Sequence, residues 1–264
     1  RSLARDASAG CIPIAVSGCW SARSPSARWP RWSRAGIAIL GGKGHRFAPE
    51  IASYRDRVTG RTIHQVTRHP SINHPTYFLQ SSFTPANDAL IFTSYRTGSA
   101  QLFRAALPSG ELRQLTDGPA IHPFSPAIHP SGESIFFVRT GGIWVLDMET
   151  LEERLVIEFA GAQLGECSLS ADGEWITTAI KQGSQPGVVA GRADGSEWTP
   201  IPFPRTVIHP QFHPLEPEWL IFAGDPAPRM HRVRGDGSGL ECLYEHGNDE
   251  FVVGGGDYDS FIDG

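Results

Sequence analysis

The sequence predicts an all-β fold: a β-propeller of four-stranded antiparallel blades, incomplete in this chain. Two short apolar strands flanking a turn rich in Pro, Asp and Gly recur four times, with starts 45, 41 and 43 residues apart. Propeller blades repeat at roughly 40–45 residues with four short strands each. With 29 Gly and 21 Pro in 264 residues, the chain is punctuated too densely for long helices. A blade of this size has to stack on neighbours to cover both of its faces, so the repeat implies part or all of a ring.

Residues 1–46 stand apart. They hold seven Arg, three Trp (Trp20, Trp29, Trp32) and a single acid, Asp6, with no sustained period. The chain starts at Arg1, which reads as a fragment or a processed product. The apolar run from Gly36 to Leu40 is too short and too far in for a signal-peptide core. This segment is expected to be irregular and receives no function; its Arg/Ala/Ser/Trp/Pro bias is what GC-rich DNA yields in a wrong frame.

The propeller is expected over 47–253, as the outer part of one blade followed by four blades. The four markers are Phe83-Thr-Pro-Ala-Asn-Asp-Ala-Leu-Ile-Phe, Ile128-His-Pro-Ser-Gly-Glu-Ser-Ile-Phe-Phe, Leu169-Ser-Ala-Asp-Gly-Glu-Trp-Ile-Thr-Thr and Phe212-His-Pro-Leu-Glu-Pro-Glu-Trp-Leu-Ile-Phe. Between them, Thr59-Gly60, Ser109-Gly110, Asp194-Gly195 and Asp236-Gly237 read as hairpin turns joining the two outer strands, where Gly supplies positive φ. The tail 254–264 is expected to be irregular. Its Gly254-Gly-Gly-Asp-Tyr-Asp breaks the pattern where a further blade is due, which predicts an open ring whose strand edges pair readily with other chains.

Composition narrows the function. A net charge of −5 gives no global basic field, so no nucleic-acid partner is expected. No stretch approaches the roughly 18 apolar residues of a membrane helix. The four cysteines, Cys11, Cys19, Cys167 and Cys242, form no CxxC pair, which argues against a structural zinc and for free thiols or one incidental bridge. No Gly-rich phosphate loop is present.

Propellers hold ligands at the central axis, on the innermost strand of each blade. Three residues before each marker stand Gln80, Ser125, Glu166 and His209, all polar in otherwise apolar or small strands. They predict a wet channel and are candidate substrate-binding positions. His209 is the candidate for chemistry, because neutral imidazole accepts a proton near pH 7. His122, His129 and His213 read as turn residues, and His45, His64, His69 and His246 as surface.

At Val207-Ile-His-Pro-Gln-Phe-His-Pro the sequence resembles the oligogalacturonate lyases, a seven-bladed propeller family related to TolB-type propellers. The resemblance extends over residues 50–250. It includes Asp56-Arg-Val-Thr-Gly-Arg-Thr-Ile-His-Gln-Val-Thr, His74-Pro-Thr-Tyr-Phe-Leu-Gln-Ser-Ser-Phe-Thr-Pro, Leu90-Ile-Phe-Thr-Ser-Tyr-Arg-Thr-Gly, Trp144-Val-Leu-Asp-Met-Glu-Thr-Leu-Glu-Glu, Gly224-Asp-Pro and Arg229-Met230. It implies β-elimination on short pectin fragments, the oligogalacturonides, with His209 as the base that takes the C5 proton. It adds Gln211 and Arg229 as substrate-binding candidates. It also implies manganese as the Lewis acid on the uronate carboxylate. One ligand of that metal falls on Asp249, in Asp249-Glu-Phe where the family has His-Glu-aromatic. The family's further ligands, a Gln and two His, have no counterpart, and no basic helper occupies the expected strand position, Arg192 and Arg205 being only nearby. The expected location is the cytoplasm, with the periplasm as the alternative.

Three readings follow: a lyase of this family, a non-catalytic TolB-like binding or scaffold propeller, and the propeller part of a serine peptidase. The third has no Gly-x-Ser-x-Gly elbow to support it.

Overall fold

The computed structural model describes residues 41–245. Its strands are β1 (Arg46–Phe47), β2 (Ala52–Arg55), β3 (Thr62–Gln65), β4 (Asn73–Pro75), β5 (Ala89–Ser94), β6 (Gln101–Ala106), β7 (Leu112–Gln114), β8 (Ala127–Ile128), β9 (Ser134–Arg139) and β10 (Gly142–Asp147). The series continues with β11 (Glu153–Glu158), β12 (Ala162–Leu169), β13 (Trp175–Gln182), β14 (Gln185–Arg192), β15 (Thr199–Pro202), β16 (Thr206–Phe212), β17 (Trp219–Asp225), β18 (Met230–Arg234) and β19 (Glu241–Cys242). No helix occurs among the described residues.

The strands form the four predicted blades, in sheet orders β4-β5-β6-β7, β8-β9-β10-β11, β12-β13-β14-β15 and β16-β17-β18-β19, plus a lone β2-β3 hairpin. That hairpin stands where the outer part of a preceding blade is predicted. The chain is an all-β, open arrangement of propeller blades. One strand was not foreseen. Arg46, in the segment read as irregular, begins β1, which pairs with β7 through Arg46↔Arg113 and Phe47↔Leu112 and so covers the outer edge of the first blade. The four glycines named as hairpin turns all have positive φ: Gly60 at 68°, Gly110 at 76°, Gly195 at 106° and Gly237 at 85°.

Side-chain alternation on the second strand of each blade explains the apolar runs in the sequence. In β9, Ile135 and Phe137 pack with Ile91, Leu102 and Leu115 of the first blade. Phe136 and Val138, facing the other way, pack with Leu164, Cys167 and Ile176 of the third blade. In β17, Leu220 and Phe222 meet Val188, Ala190 and Ile201 of the third blade. Both faces of such a strand are buried, so it reads as consecutive apolar residues instead of an alternating pattern. Cys167 lies inside one of these interfaces, where burial pushes its thiol well above the usual range, and Cys242 is likewise a free thiol.

The residue after each marker ties the turn. Thr84 Oγ1 accepts the Ala89 N–H at 3.1 Å and Ser170 Oγ accepts the Trp175 N–H at 2.9 Å. His129 Nδ1 accepts the Ser131 N–H at 3.1 Å, and His213 Nδ1 accepts the Glu216 N–H at 3.0 Å. The turn role read for His129 and His213 is therefore what the structure gives them.

Arg96 binds the first blade to the segment before it. Its guanidinium lies 5.5, 5.9 and 5.0 Å from the ring centres of Phe47, Phe92 and Phe103 and donates to Glu50 Oε1 at 2.8 Å and Thr67 Oγ1 at 2.9 Å. Burial raises the Glu50 pKa, but hydrogen bonds from Thr67 and Arg96 outweigh it and hold the carboxyl below its usual value. The Arg96 side chain is only 2% exposed and that of Glu50 22%. Arg96→Ala is expected to lower the unfolding free energy by about 3 kcal/mol, the low end for breaking a buried pair because Glu50 stays partly hydrated. Denaturant titration checks this, and a loss within about 0.5 kcal/mol, the scale of an ordinary surface substitution, would remove Arg96 from its structural role.

Candidate active site on the innermost strands

In every blade the innermost strand is broken at about the same level. In the first, β4 ends at Pro75 and the chain turns over 77–80 before bridging Phe83 to Leu90. In the second, a turn places His122 before Ser125, whose N–H donates to the His122 carbonyl at 3.0 Å. In the third and fourth, β12 and β16 bulge: Gly165 and Glu166 fall between the pairs Leu164↔Ile180 and Cys167↔Thr178, and His209 and Pro210 between Ile208↔Ala223 and Gln211↔Ile221. A bulge leaves its extra residue out of the ladder and redirects the side chain.

His209 has φ +59°, in the left-handed region. Pro210 has no N–H to contribute, which suits a position where the ladder is interrupted. The left-handed turn costs on the order of 1–2 kcal/mol for a residue with a Cβ. Two contacts hold it. The His209 backbone N–H donates to Glu166 Oε1 at 2.7 Å, across the boundary between third and fourth blades. The His209 Nε2 is 2.5 Å from the Tyr77 hydroxyl of the first blade, 132 residues away in sequence. The Tyr77 and His209 rings lie 5.4 Å apart, and Phe78 meets His209 edge-on at 5.7 Å. His209 is 7% exposed, whereas Phe78 and Phe124 are 58% and 44% exposed.

The other predicted positions separate. Glu166 joins His209. Ser125 lies in a turn, not on a strand as the spacing suggested; it is fully buried, donating to the His122 carbonyl at 2.7 Å and accepting the Val138 N–H at 2.8 Å, so its hydroxyl is spent on the fold. Gln80 also lies in a turn, its N–H donating to the Tyr77 carbonyl at 2.8 Å, and it lines a groove with Ser81, Ile128 and Leu169 among the marker turns. Gln211 is buried in β16 beside the bulge. The Arg229 carbonyl closes the β17–β18 hairpin by accepting the Gly224 N–H at 2.7 Å. That carbonyl lies 2.8 Å from His231 Nδ1, while Arg205 Nη2 lies 3.1 Å from His231 Nε2. Asp249 lies outside the described residues. Among the described residues no three His, Cys, Asp or Glu side chains converge as metal ligands, so they do not form a manganese site by themselves.

The constant offset from the marker found Glu166 but missed Tyr77 and Phe78, which also accompany His209. The dipeptide His-Pro stands on three innermost segments, at His74-Pro75, His122-Pro123 and His209-Pro210, but it also occurs at His69-Pro70 and in the turns at His129-Pro130 and His213-Pro214, so by itself it does not single out the site. His74 stacks on Phe124 at 4.7 Å, and Tyr77 meets the same ring edge-on at 5.9 Å. Nδ1 of His122 is buried without a hydrogen-bond partner among the described residues. Burial pushes the His122 imidazole below its ordinary value, and the Glu166 carboxylate pulls it part of the way back.

The oligogalacturonate lyase family profile matches residues 41–182, more than half of the chain. The chain belongs to that family. An oligogalacturonate lyase solved in complex with manganese superposes with a TM-score of 0.73 at 20% identity, covering 78% of this chain and 62% of its own. The oligogalacturonate lyase from Vibrio parahaemolyticus gives 0.70 at 21% identity, with the same coverage. TolB from Acinetobacter baumannii gives 0.55 at 13% identity, covering 75% of this chain and 50% of its own. The chain thus spans less than two thirds of the length of the lyase structures it matches. No curated protein matches it.

The His122 shift has a consequence for stability. The unfolded chain takes up the imidazole proton as the pH falls through about 6.5, the folded chain only at lower pH. The stabilisation of the folded state is therefore complete above that value and is lost as the pH drops through the folded pKa. Between pH about 7.5 and about 5.5 the wild type is expected to lose more unfolding free energy than His122→Asn. Equal losses in denaturant titrations would remove His122 as the source.

Proposed function

We propose that this protein cleaves short pectin-derived oligogalacturonides by β-elimination, with His209 accepting the C5 proton. Membership of the oligogalacturonate lyase family supports the reaction class. The observation that carries the assignment of the base is the bulge at His209, which turns a largely buried imidazole out of the ladder and into contact with a hydroxyl of the first blade.

In the proposed reaction the bond from C5 to hydrogen breaks, its electrons form the C4=C5 double bond, and the C4–O4 bond breaks. The imidazole receives the proton, a role worth on the order of 10²–10⁴ in rate for a well-placed base. Glu166 keeps the His209 backbone in its left-handed turn. Arg229, in the β17–β18 hairpin of the bulged blade, is the proposed partner of a substrate carboxylate. Manganese belongs to this reading through the family and through Asp249, with the cytoplasm as the proposed location.

A TolB-like binding propeller is the second reading, supported by the likeness of the fold to TolB. Ultraviolet absorbance of the unsaturated uronate on digalacturonate, with manganese added and withheld, separates the two. A metal-dependent rise that falls on the order of 10²-fold or more in His209→Ala is the expected result. A flat trace in the wild type would overturn the lyase reading in favour of the binding propeller.

A further inference from the structure

His209 Nε2 lies 2.5 Å from the Tyr77 hydroxyl, and in the tautomer protonated on Nδ1 it accepts the phenol O–H. Tyr77 is half-buried and His209 is 7% exposed, so Tyr77 is the more accessible residue of the pair. Its ring is held by Phe78 at 4.3 Å and Phe124 at 5.9 Å, which restrict it from swinging away. With Nε2 bonded to the phenol oxygen, a proton bound for that nitrogen passes by way of the oxygen. A phenol is a weak proton acceptor by itself, but an oxygen that hands its own proton to an imidazole as it takes another has the acceptor strength of the imidazole.

We propose that Tyr77 is a catalytic residue that stands between substrate and His209. The inference rests on the lyase reading above. The C5–H bond breaks and its proton goes to the Tyr77 oxygen, while the Tyr77 proton passes to His209 Nε2. The C5–H electron pair becomes the C4=C5 bond, and O4 leaves with the pair of the C4–O4 bond and takes a proton from water. The imidazolium then returns its proton through the phenol to solvent, which restores both groups. The alternative role, Tyr77 as the acid that protonates O4, fails on stereochemistry. In the galacturonate chair H5 and O4 are both axial and leave from opposite faces, whereas the phenol oxygen and Nε2 form one bonded pair.

The test uses the full chain and two readouts, unsaturated product by absorbance and deuterium entry at C5 in heavy water by mass spectrometry. Tyr77→Phe keeps the ring and its packing. It is expected to lower elimination and C5 exchange together by on the order of 10²-fold or more, the scale of a lost proton-transfer group. Replacing Tyr77 with 3-fluorotyrosine, a more acidic phenol, is expected to restore both rates and move the low-pH limb of the rate profile to lower pH. Two results would overturn the proposal: Tyr77→Phe retaining elimination within about threefold, or fluorotyrosine restoring rates with an unmoved pH profile, since a packing role alone produces either. Loss of elimination with C5 exchange intact would instead make Tyr77 the acid and also overturn it. A wild type that neither exchanges nor eliminates would sink the lyase reading itself and the relay with it, a pattern distinct from the others because every variant is then equally silent.

Discussion

Apolar contact between consecutive blades is what everything else in this molecule depends on. A four-stranded sheet of about 40 residues has no interior of its own; its second strand is covered only because neighbours lie on both sides. Phe137 and Phe136, adjacent in sequence, belong to different interfaces, one with the first blade and one with the third. Burying a side chain of this size contributes roughly 1.5–3 kcal/mol relative to leaving it exposed. No blade therefore stands alone, and the stacking fixes the innermost strands side by side around one axis. The edge strand β1, paired to β7, and the Arg96 clamp over three phenylalanines serve the same requirement at the start of the array.

That stacking leaves the innermost strands freer than the rest. They have a partner on one edge only, so a turn or a bulge there sacrifices few ladder hydrogen bonds. All four are interrupted, and Tyr77, Glu166 and His209 stand at those interruptions. The fold and the site are thus divided in space: regularity on β5, β9, β13 and β17, irregularity one strand further in. Glu166 shows how the two are joined. Its carboxylate is carried by one bulge and accepts the backbone N–H of the next, so the left-handed turn at His209 exists only while third and fourth blades are stacked.

The same division decides what could be read in advance. The period of the markers, the positive-φ glycines and the runs such as Ile135-Phe-Phe-Val are consequences of regular geometry, and they were legible because each repeats. Turn roles for His129 and His213 were legible for the same reason. Of the four residues counted back from the markers, His209 and Glu166 are the two brought together, at the equivalent bulges of β16 and β12. In the first two blades a tight turn replaces the bulge, and the count lands on Gln80 and Ser125, one lining a groove among the turns and the other spent on the fold. Tyr77 was inside a segment quoted for its resemblance, yet no local pattern points from residue 77 to residue 209. Only the stacking of the blades does.

A Tyr–His contact between the first and fourth blades constrains the chemistry further than either residue would. Separately, a phenol is too weakly basic and the imidazole is largely covered by its neighbours. Together they give one acceptor whose reachable atom and whose proton store are different residues. Such an arrangement depends on blade geometry, because the bond joins residues of two blades that are not neighbours in the array. The proposed relay therefore depends on the packing that brings the first and fourth blades together. The proposed base is a property of the stacked blades, which bring Tyr77 and His209 together across 132 residues of sequence.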